Sequence, residues 1–163
     1  MRPYYEFGHR VTFAETNVVG NVYFTGYLSW QGACRELFLA DKAPQVIDRL
    51  HRDLALVTVS CSCEYFSELF ALDEVSVRMT LVRQEGNQMT MAFDYYRVGR
   101  GPALLVARGE QTVACMVRTG DGLVPEKIPD ELGAALRPYI ARTENGEITL
   151  RTAGEPPAGP AEQ

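Results

Sequence analysis

Hydrophobic and polar positions along this chain follow two different periods. Residues 3–14 carry the β-favouring side chains Tyr5, Phe7, Val11 and Phe13 and predict a first strand. Loop signals, Gly20 among them, fill residues 17–21. From Phe24 to about Ala40 the apolar residues recur at helical spacing, and Asp41-Lys42 followed by Pro44 marks the end of that helix. A second short helix is predicted around residues 45–52. Beyond it the period drops to two. Strands are predicted near residues 54–66, 74–84, 89–98 and 104–118, with clear alternation in Val75, Val77, Met79 and Leu81 and again in Met89, Met91, Phe93 and Tyr95. Glu85-Gly86-Asn87 and Gly99-Arg100-Gly101 read as hairpin turns. Pro129, Asp130, Glu131 and Leu132 open a short C-terminal helix.

The order is therefore one strand, one long helix, then about four antiparallel strands. A sheet must bury one face, and the long helix is the only large element available to cover it. A sheet wrapped around one central helix satisfies that demand, an α+β arrangement known as the hot-dog fold. At about 100° per residue, Tyr27, Leu28, Trp30, Cys34, Leu37, Phe38 and Leu39 span more than half of the helix circumference, which predicts a largely enclosed helix. Gln31 and Arg35 fall inside that arc, whereas Glu36 lies opposite. A buried guanidinium is costly without a partner. Arg35 therefore meets an acid, reaches a subunit boundary or serves a site.

With 163 residues, the chain is the size of one domain with a substantial core. We expect the domain over residues 1–140 and an extension over 141–163, disordered from about 152, where Pro, Gly and Ala accumulate. Sixteen basic residues against 21 acids give a net charge of −5, which argues against a nucleic-acid surface. No apolar run approaches membrane-spanning length, and the first ten residues lack a secretory apolar stretch, so a cytoplasmic protein without membrane contact is expected. Cys34, Cys61, Cys63 and Cys115 form no CxxC pair and read as buried thiols, with Cys61 and Cys63 on one sheet face. They offer no zinc set with His9 or His51, and no cofactor is implied. A P-loop, GxSxG elbow, HExxH and GxGxxG are all missing.

Residues 13–24 read FAETNVVGNVYF and lead into TGYLSWQGACRELFL. This resembles the 4-hydroxybenzoyl-CoA thioesterase-like branch of the hot-dog superfamily, whose loop runs approximately F-x-[DE]-T-D-x-x-G-x-V-x-[YF] into the central helix. The match extends over about residues 4–120. More narrowly, ETNVVGNVYF, WQGACRELFL and CSCEYFSELFALDEVSVRM are similar to the thioesterases of enediyne polyketide biosynthesis. One departure from the wider family stands out. Asn17 occupies the place of an aspartate, and an amide can neither attack a thioester nor deprotonate water. Enediyne thioesterases resemble this chain in having asparagine there, paired with an arginine on the central helix, the place of Arg35.

The resemblance implies an active thioesterase that works without a carboxylate at position 17. Stabilising the oxyanion and aligning water then carry the catalysis. The backbone N–H groups of Phe24 and Thr25, at the positive end of the helix, are candidates for the oxyanion hole. Asn17 is a candidate for orienting water or carbonyl, and Arg35 for binding a β-keto oxygen or the developing charge. Tyr27 and Thr58 are further catalytic candidates, set against core packing and an ordinary strand position. Gly20, Leu28 and Gln31 are the candidate substrate-binding residues. Glu15 reads either as a base or as an acid holding a loop amide, Glu64 as a strand-surface charge, and His9 as lying away from the chemistry.

The expected reaction is hydrolysis of a β-ketoacyl polyene thioester on the acyl carrier domain of an iterative polyketide synthase, followed by decarboxylation. A general acyl-CoA or aroyl-CoA thioesterase and a non-catalytic polyketide-binding partner are the alternatives. The resemblance further implies a homo-oligomer, a dimer paired edge to edge or a tetramer of such dimers, which an open strand edge also favours. Leu28, Leu39, Met79, Met91 and Phe93 fit either an acyl tunnel or plain core. Arg78, Arg83, Arg97, Arg100 and Arg108 fit either docking of an acidic carrier or a solvated strand face.

Overall fold

The computed structural model describes residues 2–142. Six strands form one antiparallel sheet: β1 (Tyr5–Arg10), β2 (Leu54–Tyr65), β3 (Glu74–Glu85), β4 (Gln88–Val98), β5 (Leu104–Thr119) and β6 (Gly122–Pro125). Their order is β1-β3-β4-β5-β2, with β6 also pairing with β5. The helix α1 (Phe24–Lys42) runs along one face, followed by α2 (Pro44–Leu50), and α3 (Asp130–Leu136) closes one end. This is the α+β hot-dog arrangement expected from the element order.

The core lies between α1 and the sheet. Tyr27, Trp30, Cys34 and Phe38 from the helix pack with Val77, Met79, Met91, Phe93 and Tyr95, the inward positions of β3 and β4. Period-two alternation on these strands thus supplies one wall and helical spacing the other. Two further ties fix the helix. Tyr95 Oη donates to the Tyr27 carbonyl at 2.7 Å, and Tyr5 Oη donates to Asp41 at 2.6 Å. Gly86 at φ +57° and Gly99 and Gly101 at +81° and +74° occupy the turn positions that favour glycine.

Three expectations need correction. The first strand stops at Arg10, because Val11 N–H donates instead to the Asp73 carbonyl and Thr12 caps a 3-10 turn over Phe13–Glu15. Phe13 is thereby turned outward. The strand β6, which opens at Gly122 (φ +120°), has only four residues and no apolar alternation to announce it. The helix is enclosed over a narrower arc than expected: Leu37 is exposed and Leu28 only half-buried. The cysteines are all free thiols, but Cys61 is exposed rather than buried. The expected extension lies outside the described residues from position 143.

Candidate active site

The loop before α1 is held by a single carboxylate. Glu15 accepts the Trp30 indole N–H at 2.8 Å, the Thr12 backbone N–H at 2.7 Å and a bond with His9 Nε2 at 2.8 Å. Burial alone would push this carboxyl up, yet these donors outweigh it and hold the pKa at about 2. A group so tightly bound to donors is a poor base. Of the two sequence readings, the loop-holding acid is the one the geometry supports, and His9 is occupied in the same cluster.

Within the loop, Asn17 closes its own turn. Its side-chain Oδ1 accepts the Val19 N–H at 3.0 Å, and its carbonyl accepts the Gly20 N–H at 2.9 Å. Gly20 sits at φ +95°, a conformation that suits glycine and gives it a structural reason to be there. Among the described residues the Asn17 Nδ2 meets no acceptor, so the amide keeps a donor to offer. The Phe24 and Thr25 N–H groups at the start of α1 likewise meet no acceptor among the described residues, as the first turn of a helix requires.

A cleft of about 300 Å³ opens beside this helix end, lined by Phe24, Tyr27, Tyr65 and Glu68 among others. Tyr65 Oη donates to the Phe24 carbonyl at 2.8 Å and so ties the end of β2 to the helix start. The Tyr27 ring is buried against Trp30, Tyr65 and Tyr95. Burial pushes its hydroxyl pKa up, which keeps it a donor.

Arg35 stands elsewhere. It lies eleven positions beyond Phe24, about 16 Å along the helix axis. Its Nη1 donates to Gln111 Oε1 on β5 at 2.7 Å and makes a longer contact with Thr58 Oγ1 on β2 at 3.4 Å. No carboxylate among the described residues lies within ion-pairing distance of it. Burial lowers its pKa from the ordinary guanidinium value, opposed by the charge of Glu36, and it remains a cation. Arg35 also walls a small apolar cavity with Phe38, Leu39, Leu56, Met89 and Met91. That cavity measures about 10 Å³, room for about one water molecule.

The expected residues therefore fall into two groups. Phe24, Thr25 and Tyr27 stand in the first turn of α1 with Asn17 in the loop that precedes it, while Arg35 and Thr58 meet further along the helix. Gln31 is fully buried, its Nε2 donates to the Ser62 carbonyl at 2.9 Å and its Oε1 meets no donor among the described residues, so it lies behind the surface of the cleft rather than on it. Leu28 lines neither cavity, although it lies about 20° from Arg35 around the helix. Of the expected tunnel, Leu39 and Met91 border the small cavity, while Met79 and Phe93 belong to the core. Arg78, Arg100 and Arg108 are engaged with Glu6, Asp73 and Asp94, which weakens the idea of a free basic docking patch. Glu64 lies exposed opposite Arg108. Gln111 went unnoticed in the sequence, although it shares the inward parity of Val113.

Residues 11–136 match the family described as the thioesterase-like superfamily. No curated protein matches. Among solved structures, the dynemicin thioesterase, from work on induced-fit and allosteric effects upon polyene binding, is 56% identical with a TM-score of 0.81, covering 83% of this chain and 96% of that one. A 1,4-dihydroxy-2-naphthoyl-CoA thioesterase from Synechocystis is 21% identical at a TM-score of 0.70, over 82% of this chain and 96% of its own. A 4-hydroxybenzoyl-CoA thioesterase mutant complexed with 4-hydroxybenzoyl-CoA is 16% identical at 0.73, over 83% and 99%. The last two likenesses concern the fold alone.

Proposed function

We propose, on the premise that this chain belongs to the thioesterase-like superfamily and hydrolyses thioesters, that its substrate is a β-ketoacyl polyene. The acyl group is carried as a phosphopantetheine thioester on the acyl carrier domain of an iterative enediyne polyketide synthase in the cytoplasm. The observation that carries this reading is Arg35: a cation with only neutral hydrogen-bond partners among the described residues, walling an apolar cavity. The 56% identity to a thioesterase studied with polyenes supports it.

The chemistry follows from the groups present. Water attacks the thioester carbonyl carbon and negative charge develops on the carbonyl oxygen. The Phe24 and Thr25 N–H groups and the Asn17 amide are donors for that oxygen or for the attacking water, and each preorganised donor contributes about 3 kcal/mol in comparable sites. Arg35 binds the β-keto oxygen, which also makes the neighbouring carbonyl more electrophilic. Collapse breaks the C–S bond, and the proton released by water ends on the departing thiolate. The β-keto acid passes its carboxyl proton to its own keto oxygen through a six-membered ring and loses carbon dioxide. That last step asks little of the protein.

Asn17 lies in the loop before α1 and Arg35 about three turns along it, and a second copy completes the site. The outer edge of β2 is open, with Val57 and Val59 exposed on it. Antiparallel pairing of two β2 edges about a two-fold axis would set the two α1 helices side by side in opposite directions. The loop of one chain would then approach Arg35 of the other, and Phe24 and Leu28 would be covered.

The test is incubation with a β-ketoacyl carrier-protein thioester. Release of carrier thiol and of the decarboxylated ketone is expected, with Arg35→Ala at least tenfold slower. Faster turnover of simple acyl-CoA or aroyl-CoA esters would instead assign a general CoA thioesterase, and an unchanged rate in the variant would remove Arg35 from the mechanism.

A further inference from the structure

Arg35 faces an unusual partner. A guanidinium drawn into a protein interior is ordinarily met by a carboxylate, which satisfies its donors and cancels its charge. Here β5 presents Gln111, almost entirely buried, whose Oε1 accepts from Arg35 Nη1 at 2.7 Å. The second contact, Thr58 Oγ1, is neutral too. The Nε and Nη2 groups meet no acceptor among the described residues. An acid is one residue away on the strand, but Glu110 pairs with Ala92 and Ser62 on the opposite face of the sheet. Gln111 pairs with Met91 and Cys61, on the helix side.

Gln111 is well fixed for such a task. It lies in the ladder between β2 and β4, so its backbone is held on both sides. One end of the guanidinium is thereby anchored through a neutral acceptor. The remaining N–H groups stay available, and the net positive charge is undiminished. A carboxylate at the same distance would hold Arg35 as firmly but would oppose the approach of any further negative charge.

We infer that Gln111 is a positioning residue for the hydrolysis, a neutral tether that aims the Arg35 guanidinium without neutralising it. This rests on the proposed role of Arg35 in binding the β-keto oxygen or the developing charge. Gln111 itself touches no reacting atom; it acts through Arg35.

Two variants separate the tether from the charge. Gln111→Met keeps the length and loses the acceptor, leaving the guanidinium free to swing. Gln111→Glu keeps the shape and the acceptor and adds a negative charge. With the β-ketoacyl carrier-protein thioester, we expect kcat to fall at least threefold in Gln111→Met and at least tenfold in Gln111→Glu. KM should stay within threefold in both, and the melting temperature of Gln111→Glu should not drop. Adding Gln111→Glu to Arg35→Ala should cost nothing more, because both act on one group. A kcat within twofold of the parent in either variant would overturn the inference, as would an additive loss in the double variant. If Arg35→Ala itself retains full activity, the proposed role of Arg35 fails. If Arg35→Ala is slow while Gln111→Glu is not, only the tether fails.

Discussion

Glu15 accepts the indole N–H of Trp30 at 2.8 Å, so the loop that carries Asn17 is pinned to the second turn of the central helix. The same carboxylate also bonds with His9 on β1 and holds the Thr12 N–H. The strand β1, the turn that follows it and the central helix thus converge on one negative charge.

A pH dependence follows from this convergence. The folded pKa of Glu15, about 2, lies below its ordinary value of 4.5. A depressed carboxylate pKa stabilises the fold fully above the unfolded value, and that contribution is lost as pH falls from about 4.5 toward 2. Glu15→Gln should lower stability by about 2 kcal/mol at neutral pH, the scale of a charge-assisted hydrogen bond. The gap to the parent should close in acid. Denaturant melts at pH 7 and pH 3 check both, and a pH-independent gap would contradict the assignment.

Gly109 is predicted to tolerate no side chain. A Cβ there would lie 2.5 Å from the Ser62 carbonyl oxygen and closer still to Gln31 Nε2. Gly109→Ala should therefore cost about 1–3 kcal/mol, the range for overpacking. Combining it with Gln31→Ala should relieve only part of the loss, since the backbone clash with Ser62 persists. Thermal melts of the single and double variants measure this.

Asn17 should act through its amide NH₂ rather than its oxygen, which is already occupied by Val19 N–H. Asn17→Asp preserves that turn and removes the donor. We expect a fall in kcat of about 10²-fold, comparable to loss of an oxyanion donor, with little change in melting temperature. Wild-type turnover in Asn17→Asp would show that the amide donor is dispensable, whether the turn suffices or the new carboxylate takes over as base or nucleophile.

If two chains share each site, mixed dimers carry a signature. Chains bearing Asn17→Ala and chains bearing Arg35→Ala should each be slow alone. Coexpressed, they should recover activity that neither has by itself, because one site of the mixed dimer is complete. Absence of recovery, with mixed dimers demonstrated by mass spectrometry, would place both residues in a site built by one chain.

Much of the architecture was readable from period and punctuation. Pro44 and the glycines of the two hairpins mark boundaries because they restrict or free the backbone locally, and those boundaries stand in the structure within a residue or two. The end of the first strand was not readable, since Val11 and Phe13 continue the β pattern while the Thr12–Glu15 cap breaks it through side-chain bonds. The resemblance points to Arg35, and Thr58 stands out as a polar residue in an apolar strand; that the two side chains lie together is visible only in the fold. Gln111 was missed, although counting by twos from Val113 puts it on the core face, where a polar side chain needs a reason. For Gln31, helical spacing gives a direction but not what meets it there, the Ser62 carbonyl.

The cavity beside Arg35 is bordered on the sheet side by Met89 and Met91, unbranched thioethers with several freely turning bonds. Room for a guest there can come from torsions of those chains, leaving every amide bridge between helix and sheet intact. The adjustable wall of this cavity is thus the sheet side, facing a helix whose position is set by the Tyr95 and Gln31 hydrogen bonds.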